Sequence, residues 1–387
     1  MKVLLINYME TTQPGGINMV VREIAKNISI MGHECVVLQP NPANLPDEEI
    51  YEGFKIIRVS SILDKYFYGL SLGIYQFLKN NLKEINPDVI HINGYHTLQS
   101  IEVIHTIKRL DPSIPLIFSP HHDVSPGTIA GKYLMGVHNY FGKRAIELCD
   151  YITSVSQFEA DSTINILNVN PDKLKIIPNG VNVLDHLESQ NIDLSTNIVV
   201  VDESKDINKR KKINLLYTGY LITRKGVDFL LESLNALIHD LKVKNVILTI
   251  VGEGPEKKNL LELSKELKLD KYIEWKPFLS RDKLLKKIKD SDIFLLLSRS
   301  EAYGITVAEA LVLGTPCIIT ESAALKEFSN EPGCFIVDYP PKPHDVADKI
   351  LDVYRQDVTI GPFTEKIQPW NKISKDYEEL YEGLLSK

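Results

Sequence analysis

Short apolar runs alternate with segments of helical periodicity along most of this chain. The run at residues 3–6 is followed by a Gly-containing loop and then by a segment in which Val20, Val21, Ile24 and Ile28 recur at helical spacing. Repeated units of strand, loop, helix and strand build parallel sheets whose faces are covered by helices. We therefore predict an α/β fold of the doubly wound kind, in which ligand-binding loops lie at the carboxyl ends of the strands.

The alternation occurs twice, and a polar tract separates the two occurrences. It breaks at residue 178 and resumes at residue 214. We predict two Rossmann-like domains that face each other across a cleft, with these bounds: an N-terminal domain at 1–181, a linker or insertion at 182–213 and a C-terminal domain at 214–368. An apolar string at 198–201 is interpreted as an added strand. The last segment, 369–387, is expected to form a helix that packs back on the N-terminal domain.

Composition limits the function classes. The 387 residues include 44 Lys and Arg against 51 Asp and Glu, a net charge of −7, which argues against a general nucleic-acid binder. The four cysteines are far apart and show no metal-ligand spacing, so a reducing compartment is expected. No apolar run reaches the length of a membrane span, and we expect a cytoplasmic protein.

The segment at 298–310 is the most informative one, because it follows an apolar run and carries two glutamates around a glycine. Gly304 permits a tight turn, and a helix is expected to begin near Ile305. Free N–H groups at a helix start form an anion site. Glu301 and Glu309 would lie at the same edge at different depths, which suits hydroxyl groups on two parts of one ligand. The alternative is one capping and one solvated glutamate.

Two further segments suit phosphate. Arg224 and Lys225 follow the first strand of the C-terminal domain, and such a cation pair is a usual partner of a diphosphate. Gly15 and Gly16 follow the first strand of the chain and allow close approach of backbone to phosphate. The alternative for Arg224 and Lys225 is a solvated surface pair, and the alternative for Gly15 and Gly16 is a flexible loop. The absence of a GxGxxG pattern disfavours a nicotinamide dinucleotide.

Three weaker candidates complete the predicted site. His121 follows the apolar run at 116–119 and could hydrogen-bond a sugar hydroxyl or receive a proton. Gly252 and Phe278 also follow predicted strands and are candidates to border a nucleobase, although loop and core are the ordinary alternatives. The histidines show no helical metal-binding spacing, so no metal site is expected.

In this order, the motifs resemble those of retaining glycosyltransferases of family four, which have the GT-B fold. The strongest element is Glu301 followed by Glu309 within the string EAYGITVAEALVLGTP. The resemblance implies transfer of a sugar from a UDP- or GDP-sugar to a hydroxyl group of a saccharide or lipid-linked saccharide acceptor, in glycan, polysaccharide or glycolipid synthesis. It also implies that the nucleotide sugar is a co-substrate and that neither a cofactor nor a metal is needed.

The resemblance further implies roles for single residues. Glu309 would hold the ribose hydroxyls, Glu301 would contact the donor sugar, and Lys225 with Arg224 would neutralise the diphosphate. The other implied donor contacts are Gly15 and Gly16 against phosphate, His121 near the sugar, and the amides of Gly304, Ile305 and Thr306 on the diphosphate. His121, Lys225 and Glu301 are the predicted catalytic residues.

One departure from the family pattern leaves alternatives open. The family commonly has Arg directly after the glycine at the end of the first C-terminal-domain strand, where this chain has Tyr220. We expect Arg224 to supply the missing charge. There are two rival hypotheses. The chain could be a sugar-nucleotide epimerase or hydrolase of the same fold, or it could be a catalytically degenerate nucleotide-binding subunit. A further alternative is peripheral contact with the inner membrane face, because the segment at 132–148 is both basic and aromatic.

Overall fold

The structure is a computed structural model that describes residues 1–13, 15–41, 44–60, 72–95, 97–121, 129–183, 212–356 and 364–386. Contacts divide the chain into two compact units. The first unit comprises Met1–Gly180 together with Trp370–Lys387, and the second comprises Val181–Pro369. The strand predicted at 198–201, and most of the predicted insertion around it, lie outside the described residues.

The first unit alternates strands and helices through its main segment. Its elements are β1 Lys2–Asn7, α1 Gly16–Ile30, β2 Glu34–Pro40, β3 Glu48–Tyr51, β4 Phe54–Val59, α2 Leu72–Ile85, β5 Val89–Asn93, α3 Leu98–Leu110, β6 Leu116–Ser119, α4 Ile129–Glu147, β7 Tyr151–Ser154, α5 Gln157–Leu167 and β8 Leu174–Ile176. The strands form one sheet in the order β3-β4-β2-β1-β5-β6-β7-β8. All pairs are parallel except β3 with β4, a hairpin that sequence periodicity did not predict.

The second unit repeats the alternation. Its elements are β9 Ile213–Thr218, α6 Val227–Asn235, β10 Val246–Val251, α7 Lys257–Glu266, β11 Ile273–Lys276, α8 Arg281–Lys289, β12 Ile293–Leu296, α9 Ile305–Val312, β13 Cys317–Thr320, β14 Cys334–Val337 and α10 Pro343–Arg355. The sheet order is β11-β10-β9-β12-β13-β14, and every pair is parallel. The predicted α/β class with doubly wound parallel sheets is confirmed. Sequence reasoning missed β14 and α10.

In each sheet the strand order reverses at one place. The reversal lies between β1 and β5 in the first sheet and between β9 and β12 in the second. Loops leave adjacent strands in opposite directions at such a point, so a crevice opens at the carboxyl ends. Functional residues are therefore expected beside these two pairs of strands.

A last helix, α11 Trp370–Leu385, returns the chain to the first unit and packs on α1. Its buried Tyr381 lies with its hydroxyl 2.8 Å from Nδ1 of His91 in β5, and Nε2 of His91 is 2.6 Å from the hydroxyl of Ser119. Burial, with a smaller contribution from nearby His121, lowers the pKa of His91 to about 3. His91 is therefore neutral near pH 7 and serves packing, with both ring nitrogens occupied.

Replacing Tyr381 by Phe is expected to destabilise the first unit. The substitution keeps the ring and leaves Nδ1 of the fully buried His91 without its partner, which costs about 1–3 kcal/mol. Thermal unfolding should show a lower midpoint for Tyr381→Phe, while Lys375→Ala, an exposed change on the same helix, should leave the midpoint unchanged. Equal midpoints for Tyr381→Phe and the wild type would contradict this role.

Candidate functional site

The loops after β9 and β12 bring three predicted residues together beside the reversal point of the second sheet. Lys225 lies in a short 3-10 turn, Thr223–Lys225, after β9, and its Nζ donates to Oε1 of Glu301 at 2.6 Å. Nη1 of Arg224 lies 3.8 Å from the other carboxylate oxygen. Glu301 follows β12, so the contact joins loops from neighbouring strands. The structure thus places two predicted cations on one predicted carboxylate.

Glu301 is buried, and its charge depends on these neighbours. Burial acts to raise its pKa, but Lys225, Arg224 and the hydrogen bond from the Ser298 hydroxyl outweigh that effect and hold the pKa below its ordinary value. The carboxylate is therefore ionised near neutral pH. An ionised carboxylate accepts hydrogen bonds and suits ligand hydroxyl groups. Ser298 lies at the end of the apolar run before Glu301, a position that could have marked it in the sequence.

A second cation-carboxylate pair braces the β9 loop. Both guanidinium nitrogens Nη1 and Nη2 of Arg299 donate to Asp228, at 2.8 and 2.6 Å, and the guanidinium lies over the ring of Phe229 at 4.1 Å. The backbone N–H of Arg299 donates to the carbonyl of Arg224 at 2.8 Å. This bidentate geometry fixes the relative position of the two loops. Sequence reasoning missed the pair because nothing in either local segment indicates its partner.

Glycines with positive φ shape both loops. Gly226 has φ of 65° and ends the turn that presents Lys225, and a Cβ there would collide with the carbonyl of Leu297. Gly304 has φ of 109° and is the N-cap of α9, which begins at Ile305 as predicted. The first-turn amides, those of Ile305 and Thr306 among them, have no acceptor within the helix. They lie where the sequence predicts an anion site, and the role of these amides stays a prediction.

Glu309 lies one turn further into α9 and is buried, with a side chain 2% exposed. Its Oε1 is 2.6 Å from Nη2 of Arg281, the first residue of α8. The same nitrogen donates to the carbonyl of Asn182 at 2.8 Å. Arg281 was not among the predicted residues, because no motif links it to a carboxylate so distant along the chain.

The weaker nucleobase candidates lie on neighbouring loops. Gly252 follows β10, and a Cβ there would collide with the carbonyl of Gly219, so the β9 and β10 loops are in backbone contact. Phe278 follows β11, with 45% of its surface exposed. Tyr220, in the position where the family commonly has Arg, is 52% exposed and carries no charge. Arg224 reaches Glu301 instead, which places a cation at this edge.

The first unit holds the remaining predicted residues at its own reversal point. Gly15 and Gly16 begin α1, and a Cβ added to Gly16 would meet nothing within 4 Å. His121 follows β6, is 8% exposed, and its Nε2 lies 3.1 Å from Oδ1 of Asn93 at the end of β5. Because β1, β5 and β6 are neighbours, these residues lie at one sheet edge.

A buried ion pair that sequence reasoning missed holds the loop before Gly15. Glu10 lies in this loop, and Arg58 of β4 donates from Nε to Oε2 of Glu10 at 2.8 Å. Burial acts to raise the pKa of Glu10, but Arg58 and Thr12 outweigh it and hold the pKa low. Gln39 of β2 donates to the same carboxylate at 2.6 Å. The loop is thus anchored to two strands, which fixes the start of α1.

One set of described side chains has spacing that could hold a metal ion: single ligand atoms of His33, Glu378 and Glu382 lie within 4.8 Å of one another. His33 already contacts Glu378 at 2.6 Å, and the set lies where α11 meets the start of β2 in the first unit. It shares no residue with the candidate site. Among the described helices, none combines the length and the apolar character that a membrane span requires.

Replacing Lys225 should lower the free energy of unfolding at neutral pH and lower it less in acid. The pKa of Glu301 is lowered by folding, so this carboxylate stabilises the native state above its unfolded-state pKa of about 4.5 and the contribution is lost as the pH falls through the lower native pKa. Lys225→Met leaves a buried carboxylate with a weaker partner and should cost about 2 kcal/mol at pH 7.

The difference between Lys225→Met and the wild type should shrink as the pH falls below 4.5, because a protonated carboxyl does not need the ammonium group. Urea unfolding at pH 7 and at lower pH measures it. Lys244→Ala, an exposed change before β10 at the opposite edge of the sheet, serves as the control. A difference that stays constant with pH would contradict the ion pair.

Two family models match this chain in succession. Residues 14–183 match the model described as Glycosyltransferase Family 4, and residues 201–368 match Glycosyl transferases group 1. The chain is 24% identical over 381 residues to an uncharacterized glycosyltransferase of Methanocaldococcus jannaschii, covering 95% of this chain and 94% of that protein. It is 23% identical to a GDP-mannose-dependent alpha-mannosyltransferase of Corynebacterium glutamicum, covering 86% and 75%.

Solved structures show the same fold. Sucrose-phosphate synthase from Thermosynechococcus elongatus superposes with a TM-score of 0.77 at 17% identity, covering 100% of this chain and 99% of that one. Anabaena HepE in complex with UDP and glucose gives a TM-score of 0.66 at 14% identity, covering 100% and 97%. The resemblance found in the sequence motifs is confirmed, and the chain belongs to glycosyltransferase family 4, with the GT-B fold.

Proposed function

We propose that this glycosyltransferase uses a UDP- or GDP-sugar as donor and transfers the sugar to an acceptor hydroxyl with retention at the anomeric carbon. The observation that carries the proposal is the group formed by Lys225, Arg224 and Glu301 beside the amides that begin α9. Cations and amides suit a diphosphate, and a buried carboxylate among them suits sugar hydroxyls. One ligand that combines both is a nucleotide-diphosphate sugar.

Leaving-group stabilisation is the chemistry proposed for this edge. As the bond between the anomeric carbon and the diphosphate oxygen breaks, its electron pair stays on the diphosphate. Two cations and three backbone amides would stabilise that charge: the side chains of Lys225 and Arg224 and the amides of Gly304, Ile305 and Thr306. Two fixed cations and a helix terminus are sufficient in kind for this task, so the proposed reaction needs no metal ion.

Retention follows if the acceptor hydroxyl attacks the anomeric carbon from the face that the diphosphate leaves. The new C–O bond forms there, and the hydroxyl proton passes to the departing phosphate oxygen. No protein nucleophile is then required. Glu301 would accept hydrogen bonds from the donor sugar, and His121 of the first unit remains a predicted catalytic residue. Relatives support the substrate class: one is described as GDP-mannose-dependent, and Anabaena HepE was solved with UDP-glucose.

Release of nucleotide diphosphate tests the proposal. Purified protein incubated with UDP- and GDP-sugars and a panel of saccharide and lipid-linked acceptors should release UDP or GDP, with EDTA causing no loss. Lys225→Ala and Glu309→Ala should each lower the rate by about 100-fold or more, the scale of losing charged contacts to the donor. Lys244→Ala, at the opposite sheet edge, should retain the wild-type rate.

The same assay separates the rival hypotheses. Turnover of the donor without any acceptor would favour an epimerase or hydrolase, and tight nucleotide binding without any turnover would favour a degenerate subunit. NMR of the recovered product reports the anomeric configuration, and an inverted product would refute retention. Unchanged rates in both Lys225→Ala and Glu309→Ala would refute the site.

We also propose that the acceptor is met at an anionic membrane surface. On one face of α4, Val137, Tyr140 and Phe141 are about half exposed or more, beside the exposed cations Lys143 and Arg144. The guanidinium of Arg144 lies 4.0 Å from the ring centre of Tyr140. Aromatic rings with adjacent cations suit the headgroup region of such a membrane. A relative that is an alpha-monoglucosyldiacylglycerol synthase of Acholeplasma laidlawii makes a lipid product.

Vesicle sedimentation tests this surface. The protein should bind vesicles containing phosphatidylglycerol more strongly than vesicles of phosphatidylcholine alone, and less strongly at high salt. The double change Tyr140→Ser and Phe141→Ser should weaken binding by about tenfold or more, since two buried rings would be lost. Ile30→Ser, which removes an apolar side chain 71% exposed on α1, is the matched control. Absence of binding by the wild type would remove the proposal.

A further inference from the structure

The buried Glu309 forms an ion pair with Arg281, but its carboxylate still has free hydrogen-bond acceptor positions. Its Oε1 lies 2.6 Å from Nη2 of Arg281, yet among the described residues this oxygen takes part in no aligned hydrogen bond. A carboxylate has about four acceptor positions over its two oxygens. The ion pair therefore balances the charge and leaves acceptor positions for hydroxyl groups of a ligand.

Arg281 is also held by a backbone carbonyl. Its Nη2 also donates to the carbonyl of Asn182 at 2.8 Å, and Asn182 directly follows Val181. Val181 forms a parallel bridge with Pro369, and its N–H donates to the carbonyl of Gln368 at 3.0 Å. A backbone carbonyl in a tied segment thus orients the guanidinium, and the guanidinium in turn faces the carboxylate.

The position of Glu309 along α9 suits the ribose. As the fifth residue of the helix, it lies about 6 Å along the axis from Ile305, whose amide belongs to the proposed diphosphate site. In a nucleoside diphosphate the ribose is attached directly to the diphosphate. A carboxylate one turn beyond the phosphate-binding amides can therefore accept hydrogen bonds from the two neighbouring ribose hydroxyls.

We propose that Arg281 is a positioning residue that keeps the Glu309 carboxylate buried and aimed at the ribose hydroxyls, and so makes the enzyme selective for ribonucleotide over deoxyribonucleotide donors. The inference rests on the proposed function and on the role that the family resemblance implies for Glu309, contact with the ribose hydroxyls. A carboxylate left unpaired at this depth is costly, so without the guanidinium it would turn towards solvent. Selectivity for the 2′-hydroxyl would then fall, although the diphosphate contacts at Lys225 would remain.

The test compares binding of UDP with 2′-deoxy-UDP, and of GDP with 2′-deoxy-GDP, by calorimetry. The wild type should bind the ribonucleotide of its preferred base about tenfold more tightly, the scale of one hydrogen bond to a charged group. In Arg281→Met the ratio should fall below about threefold, through weaker ribonucleotide binding with little change for the deoxynucleotide. Arg281→Lys should restore part of the ratio, and Lys283→Ala, an exposed cation on the same helix, should keep all of it.

The variants separate this inference from the proposed function. If Glu309→Gln loses selectivity but Arg281→Met keeps it, Arg281 does not position the carboxylate and the inference fails alone. Equal weakening of both nucleotides in Arg281→Met would show a merely structural role and also overturn it. If the wild type binds neither UDP nor GDP, or Glu309→Gln keeps full selectivity, the assigned ribose site fails and the inference falls with it. The double variant Arg281→Met with Glu309→Gln, which removes both charges, should show the same low ratio as each single change.

Discussion

Burial of both faces of the two parallel sheets governs where chemistry can occur in this protein. The central strands β1, β5, β9 and β12 are buried along almost their whole length. Such strands are rich in apolar residues because helices cover them from both sides. Space for charged groups is therefore greatest beside the ends of the strands, and at the reversal points two neighbouring loops provide it.

Charge pairs replace apolar packing at these edges. Glu301 with Lys225, Glu309 with Arg281 and Glu10 with Arg58 are each a buried carboxylate held by a cation from another element. Breaking such a pair is costly, whereas its net contribution to stability is small. These pairs are therefore better understood as fixing the position of loops than as holding the fold together.

Local pattern was sufficient to predict much of the fold. The run at 116–119 coincides with β6, and the helix expected near Ile305 begins there, because apolar periodicity and a glycine at a positive-φ turn are both visible in short segments. The hairpin of β3 and β4 was missed because β3 is short and exposed and carries no apolar pattern. The partners of the carboxylates were missed for a different reason. Arg281 and Arg58 meet Glu309 and Glu10 only through the tertiary fold, which leaves no local signal.

The two units differ in how they are encoded along the chain. The second is one continuous segment, whereas the first requires Trp370–Lys387 in addition to Met1–Gly180. Tyr377 and Tyr381 of α11 fill the interior beside His91. During synthesis, domains usually fold in order from the N-terminus. Here the first unit needs Trp370–Lys387 before its interior can close, and all residues of the second unit are synthesised before that segment. A chain that stops before Trp370 would therefore leave its N-terminal unit, rather than its C-terminal unit, open to chaperones and proteases.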